Sequence, residues 1–501
     1  MHLTAARRRR PASGPSRTTP RGFARVLAPC AALMLAGCAA LPSARPPIEP
    51  AAAVGVPAQW RAPLPQEAAW PHEGRVDRLL DWWGQQSDPV VVAFIEAAQK
   101  ASANLAGARS RLVQAQAERT AAGSALMPQL DAAASAQRRS ATPPFPAGSQ
   151  LQGTLQASWE LDLFGGVRAQ REAAEWRLQA ADAAWHEARV SVAADAAMQV
   201  INWRHCRATL QGLQADAQAA TRSAAHLRRL ADAGLQPAAA ASSSEAGAAE
   251  SRNRARAQTQ RCEAEVKALV ALTALPEEAV RARLQSGPNG LQWAAPKTVP
   301  ALPAATLAQR PDVFAAAAAV AAAAAEIGAQ DAQRYPRVGL SGTIGRLNTR
   351  SDTFNATLNT WNIGPLSVSV PVFDSGRRAA LSDAARARHA QAAAEHSAIV
   401  RRAVREVEEA LLALNTTHEQ AADALQALDR SRSALQATRA LERQGLASAL
   451  ELEEAQRRSL GAELAWLDLQ RNRSAAWVSL YRAAGGGWNA AEAAEAARPR
   501  P

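Results

Sequence analysis

Two kinds of side chain in this sequence could do chemistry: thiols and closely spaced carboxylates. Beyond Cys30 and Cys38 near the N-terminus, the cysteines are Cys206 and Cys262, each 28 residues from Gly234 and on opposite sides of it. A helical hairpin folded at that glycine would bring the two thiols to one height. A disulfide and a pair of packed thiols both satisfy the spacing, and an oxidising compartment favours the bridge. Glu160 and Asp162 stand two apart on one side of an extended segment, in the manner of an acid–base pair, but a hydrated face accounts for them without catalysis. The eight histidines are scattered, with no His-Glu-x-x-His, no Cys-x-x-Cys and no phosphate-binding loop. These residues predict no enzyme, no metal site and no cofactor.

The N-terminus carries chemistry of another kind. Seven arginines and no acid precede Cys38, so they supply seven of the twelve net positive charges of the 501-residue chain. The basic balance is largely that of an export signal, not a nucleic-acid surface. An apolar run from Val26 to Gly37, too short to span a bilayer permanently, ends in Leu35-Ala36-Gly37-Cys38. This resembles a bacterial lipobox: residues 1–37 form the signal peptide and Cys38 carries a covalent lipid. An ordinary small-residue cleavage site is the other reading. Ala39 after the cysteine suits sorting to the outer membrane. No later stretch is expected to form an apolar transmembrane helix, so a membrane crossing would have to use strands.

The elements that position these residues change period at Ser158–Arg168. Leu151, Leu155, Ala157, Trp159, Leu161 and Leu163 alternate with Gln152, Thr154, Gln156, Ser158, Glu160 and Asp162, the pattern of a strand with one greasy and one wet face. After the junction glycines Gly165 and Gly166, a helical composition runs to Gly234. The event recurs: Leu366, Val368, Val370 and Val372 alternate with Ser367 and Ser369 before Gly376 opens a run to Gly445. Phe164 and Phe373 are 209 residues apart, Gly166 and Gly376 are 210, Gly234 and Gly445 are 211, and Pro128 and Pro336 are 208. Such constancy points to a tandem duplication.

The expected order follows. Residues 38–75 are a Pro- and Ala-rich tether. A first repeat, 76–275, holds a helix from about 90 to 126, strands over 129–139 and from 151, a helix of about 100 Å and a return helix from 238. Residues 276–303 are a Pro-rich linker. The second repeat, 304–488, repeats the order with a helix over 304–333, a strand over 337–347, a polar loop, a strand over 361–373, and helices to 445 and from 447; residues 489–501 are a tail. Gly234 and Gly445 are the turns at the tips of the hairpins. From Val400 to Leu435 apolar residues step by four and three, so the long rod packs against other rods, with His418 packed on the seam.

Four strands of about 11 residues match the apolar height of an outer membrane but cannot close a barrel. An open edge in lipid leaves backbone groups unpaired, so subunits must share one barrel. Two copies would give a filled eight-stranded interior and three give twelve strands with a lumen, which the wet faces require.

The two-repeat order resembles the TolC-like outer-membrane efflux proteins, in their OprM or NodT lipoprotein branch. The likeness covers Trp82 to Trp488 and rests on Ser158–Gly165, Arg310-Pro311-Asp312-Val313, Gly364-Pro365 with Pro371–Gly376, Glu454-Ala455-Gln456-Arg457 and Leu480–Trp488. It implies a mostly α fold with membrane β: a homotrimer with a 12-stranded barrel among outer-membrane lipids, continued by an α-helical barrel. It also implies two partners, a periplasmic adaptor and an inner-membrane pump of the RND class. By the same resemblance, constricting acidic rings fall at Glu451 and Glu454, which share one helix face. The implied function is the exit duct of a tripartite efflux system. An outlet for type I protein secretion, or a periplasmic coiled-coil scaffold lipoprotein, are the alternatives.

Overall fold

The computed structural model describes residue 62 and residues 88–140, 147–287, 307, 310–351, 354–486 and 488. The expected signal peptide, Cys38, most of the tether, residues 288–303 of the expected linker and the C-terminal tail lie outside these residues. Element order is α1 (Pro89–Ala101), α2 (Ala103–Ser124), β1 (Gln129–Arg139), β2 (Gly148–Leu161), α3 (Gly166–Asp232), α4 (Ala238–Thr273), α5 (Glu277–Ser286), α6 (Pro311–Ala332), β3 (Arg337–Ser351), β4 (Asn355–Ser369), α7 (Arg377–Arg443) and α8 (Ala449–Ala483). Both long helices, α3 and α7, contain 67 residues, about 100 Å of helix each.

The strands form one antiparallel sheet in the order β1-β2-β3-β4. Opposed pairs such as Leu155 with Ile344 and with Ala132, and Ile344 with Trp361, put the apolar side chains on one face. Gln152, Thr154, Gln156 and Glu160 share the other face with Thr343 and Ser367. The outer sides of β1 and β4 have no partner strand among the described residues.

The helices follow the same width. Near the sheet the neighbours run α2, α3, α6, α7; further down, the run is α4, α3, α8, α7. Two short helices thus stack against the length of each long one. Two equivalent cores lie where the short helices meet. One gathers Phe94, Val200, Ile201, Leu269 and Val280; the other gathers Leu307, Val400, Val407, Leu411 and Leu480. Val190 and Val400, Ala193 and Ala403, and Ile201 and Leu411 occupy corresponding core positions, each 210 residues apart.

Several boundaries differ from the sequence expectation, each for a local reason. The helix expected over 90–126 is broken at Ser102, whose hydroxyl accepts from the Leu105 N–H and caps α2. The supposed linker 276–303 begins with a helix, α5, which Pro276 precedes and which buries Val280 and Leu284. The helix expected from 304 starts at Pro311, where proline fits the first turn. Most of the polar loop before 361 is strand: β3 continues to Ser351 and β4 begins at Asn355, joined by an Asn348–Thr357 side-chain bond. Beyond Leu347 these outer strand ends are mostly polar on both faces, Leu358 being their one large apolar side chain, so alternation could not reveal them. At the other end β4 stops at Ser369, before Pro371, which lacks an N–H for the ladder.

Helix α6, rich in alanine, is long and apolar enough by composition to cross a membrane. It packs instead between α3 and α7, where small side chains let three rods approach closely.

Candidate functional site

The wet face of the sheet, the strand-to-helix junctions and the helical tips form a continuous series of candidate positions. At each junction a glycine enters the left-handed region, Gly165 at φ 75° and Gly376 at φ 82°, so the chain can turn from strand to rod. A preceding aspartate then caps the rod. Asp162 accepts from the N–H groups of Val167 and Arg168 and pairs with the Arg168 side chain at 3.2 Å. Asp374 accepts from Gly376 and Arg378 and pairs with the Arg378 side chain at 2.9 Å. Asp162 is therefore a helix cap, not a free carboxylate on the wet face beside Glu160. An Asp placed shortly before a helix start was the available signal. Gly166 serves close packing, because a Cβ there would lie 2.9 Å from that of Ala332.

The junction also records how one repeat meets the next. Phe164 of the first stacks on Tyr335 of the second, with ring centroids 4.9 Å apart. The corresponding residues at the free edges are Phe373 and Met127, which stand 87% and 66% exposed.

Lower down, Arg310 locks the second repeat. Its guanidinium donates to Asp312, to Glu406 at 2.8 Å and to the Ala483 carbonyl at 3.0 Å. The first repeat has its own buried pair, Arg204 with Asp88, and Asp88 also caps α1. Glu187 lies beside the Arg310 cluster, and burial with the nearby Asp312 charge raises its pKa to about 7. Burial, aided by Arg189, lowers His186 to about 4.

Cys206 and Cys262 are joined in a disulfide, with Cα atoms 5.5 Å apart, between α3 and α4. The buried Gln258 side chain donates to the Cys206 carbonyl at 3.3 Å. Gly234 and Gly445 lie in the hairpin turns, with φ of 73° and 76°. The Leu235 N–H bonds to the Leu230 carbonyl and that of Leu446 to Leu441, closing both long helices in the same way. Leu235, Leu446 and Leu450 are exposed at these tips.

Glu451 and Glu454 lie in the first two turns of α8, both exposed. Glu451 accepts from the Ser448 N–H at 2.7 Å and hydroxyl at 2.9 Å, completing a capping box that holds its pKa below the usual value. Glu454 pairs with Arg458 at 3.4 Å. Glu453 instead ties the two tips together, accepting from the Ser244 hydroxyl at 2.8 Å. His418 is half-buried on the α7 seam. Among the described residues no cluster of His, Cys, Asp and Glu has the makings of a metal site.

This chain matches the family described as outer membrane efflux protein over residues 94–275 and 302–486. It belongs to that family. OprJ of Pseudomonas aeruginosa, an outer membrane protein, is 27% identical over 91% of this chain and 95% of its own length. The toluene efflux pump outer membrane protein TtgI of Pseudomonas putida is 28% identical over 92% and 98%. Among solved structures, the MtrE outer membrane channel of Neisseria gonorrhoeae in its open state superposes with a TM-score of 0.73 at 25% identity, covering 85% of this chain and 98% of MtrE. As a member of the outer membrane efflux protein family, the chain is an outer-membrane channel component of an efflux system, spanning that membrane and extending into the periplasm. The sheet is its membrane part and the rods its periplasmic part.

Proposed function

We propose that three copies close into one 12-stranded barrel and a 12-helix tunnel, a passive conduit for small molecules with no catalytic step of its own. The observation that carries this reading is the sheet with an apolar face and two edges that have no partner strand among the described residues; such a sheet cannot stand alone in lipid. Twelve strands leave room for the polar face as a wet lumen. The duplication supports the geometry. The second repeat follows the first as Phe164 meets Tyr335, so the next protomer's first repeat follows the second as Phe373 meets Met127.

A periplasmic adaptor and an inner-membrane RND-type pump are the proposed partners, docking at the tips that expose Leu235, Leu446 and Leu450. The relatives named as efflux pump proteins favour this over a protein-secretion outlet. Cys38 is proposed to carry an accessory lipid anchor, and Glu451 and Glu454 to form acidic rings around the axis that favour cations.

The test is a cysteine pair. Met127→Cys with Phe373→Cys, placed in a Cys206→Ala, Cys262→Ala background, should cross-link with a short bifunctional reagent into a covalent trimer. Each single variant should stay monomeric in denaturing gels. Monomer alone from the double variant would refute the closed ring.

A further inference from the structure

The outward face of the sheet carries charge that conduction does not use. Strand pairing divides the five strand arginines: Arg139 and Arg337 share the polar face, whereas Arg138, Arg346 and Arg350 stand on the apolar one. The two strand acids, Asp131 and Glu160, are both on the polar face. Among the described residues, the outward face therefore holds three cations and no anion. All three arginines are exposed.

Their height is set by the strands. The ends of β2 and β4 that lead into α3 and α7 are periplasmic, so the hairpin ends at Arg139–Gly148 and Ser351–Asn355 face outside. Trp361 opposes Ile344 on the apolar face, and Arg346 is the next outward position beyond Ile344. Tryptophan marks the membrane interface, which puts Arg346, Arg350 and Arg138 at the level of the outer headgroups.

Their spacing suits one anion. Arg138 and Arg350 flank Ser149 in a single cross-strand row, two strand spacings or about 9–10 Å apart. Two guanidinium arms of that separation can converge on one phosphate, and their planar forks match its oxygens. Asn348 and Asn359 on the same face add amides for hydroxyl groups. Below them lies a shallow trough of about 680 Å³, lined by Ala132, Ala134, Gly153, Leu155 and Ile344, with Arg346 at its rim.

We propose that this face seats a phosphorylated glycolipid of the outer leaflet. The arginines take its phosphate, the asparagines its sugar hydroxyls and the trough an acyl chain. The proposal rests on the barrel reading above, which assigns the apolar face to lipid.

The test uses the purified trimer in nanodiscs of phosphatidylethanolamine containing either bis-phosphorylated lipid A or the same lipid after removal of both phosphates. Native mass spectrometry counts the glycolipid retained per trimer. The phosphorylated form should be retained preferentially, and affinity should fall about fivefold for each arginine removed. Arg138→Gln, Arg346→Gln, Arg350→Gln should thus lose about two orders of magnitude. Arg139→Gln with Arg337→Gln, on the lumen face, should retain it. Equal retention of the two lipids, or equal loss in the lumen variant, would overturn the proposal. Displacement of the lipid by millimolar inorganic phosphate would reduce the site to an anion site and overturn the lipid assignment. If the triple glutamine variant does not assemble, the comparison of the two lipids on the unaltered trimer decides. Absence of a heat-resistant trimer in the unaltered protein would fail the barrel reading; an intact trimer without phosphate preference fails this proposal alone.

Discussion

Replacing Cys206 and Cys262 with alanine removes a cross-link whose closed loop spans the whole lower hairpin. The two residues are 56 apart in sequence, with the Gly234 tip midway. In the chain-entropy account, opening a loop of that length returns about 14 cal/mol/K to the unfolded chain, or about 4 kcal/mol at 25 °C. Alanine is chosen because both sites are buried and a serine hydroxyl there would need a partner. The loss should fall on the periplasmic hairpin, since the sheet and its junctions are held by other contacts. Hydrogen exchange over α3 and α4 should accelerate in the double variant, with the strands unchanged, and the same pattern should appear when the unaltered protein is reduced. Thiol titration gives the independent check: denatured mature protein should release two titratable thiols only after reductant. Two free thiols without reductant, or exchange in the hairpin that shifts by less than about 0.5 kcal/mol on reduction, would refute the reasoning.

Glu187→Gln should steepen the pH–stability curve between pH 4.5 and 6.5. A carboxyl raised from 4.5 to about 7 favours folding fully below pH 4.5 and loses that contribution as pH rises to 7, up to about 3 kcal/mol. His186, lowered from 6.5 to about 4, works the other way: its contribution is present above pH 6.5 and lost as pH falls to 4. The two slopes oppose each other between 4.5 and 6.5, so denaturation midpoints of Glu187→Gln should rise with pH there while those of the unaltered protein stay flatter; parallel curves would reject the assignment. Glu451→Gln with Glu454→Gln keeps a capping-box residue but removes the charge, so planar-bilayer recordings should show weaker cation selectivity and less divalent block, and unchanged recordings would leave Glu451 a cap alone. Gly376→Ala meets no atom within 4 Å, so its cost should be only the backbone strain at positive φ, about 1–2 kcal/mol, read as a lower urea midpoint with unchanged conductance.

Much of this fold is written in period and repetition. Alternation over Leu151–Leu163 and the unbroken helical run beyond Gly166 identify β2 and α3 because the first strand is greasy on one side only and the second element has no breaker before Gly234. The bounds of β1 coincide with the expected ones because Pro128 and the prolines after residue 142 punctuate it. What stays hidden has a common cause: it depends on partners distant in sequence. The outer halves of β3 and β4 are mostly polar on both faces, with Leu347 opposite Leu358 as their one large apolar pair, and it is their pairing with each other that makes them strands. Helix α5 reads as linker because its prolines are conspicuous and its two apolar contacts, Val280 and Leu284, face a core assembled from α1, α3 and α4. Alanine-rich α6 is apolar enough for a membrane, and only the rods on either side show it to be packing.

The tip shows the same limit at a single side chain. Ser448-x-x-Glu451 is the signature of a helix N-cap, and Glu451 with Glu454 is also the spacing of two carboxylates on one helix face; nothing in the chain distinguishes the two roles. In the protomer the cap holds the Glu451 carboxylate against Ser448, and Arg458 stands beside Glu454. A carboxylate bound to Ser448 keeps its negative charge while giving up freedom to swing. Any ring it forms about the axis is therefore narrowed or widened by moving the first turn of α8 as a unit, not by turning one side chain. The Ser244–Glu453 bond ties that turn to α4, so a motion that widened the rings would have to carry the neighbouring hairpin with it or break this contact.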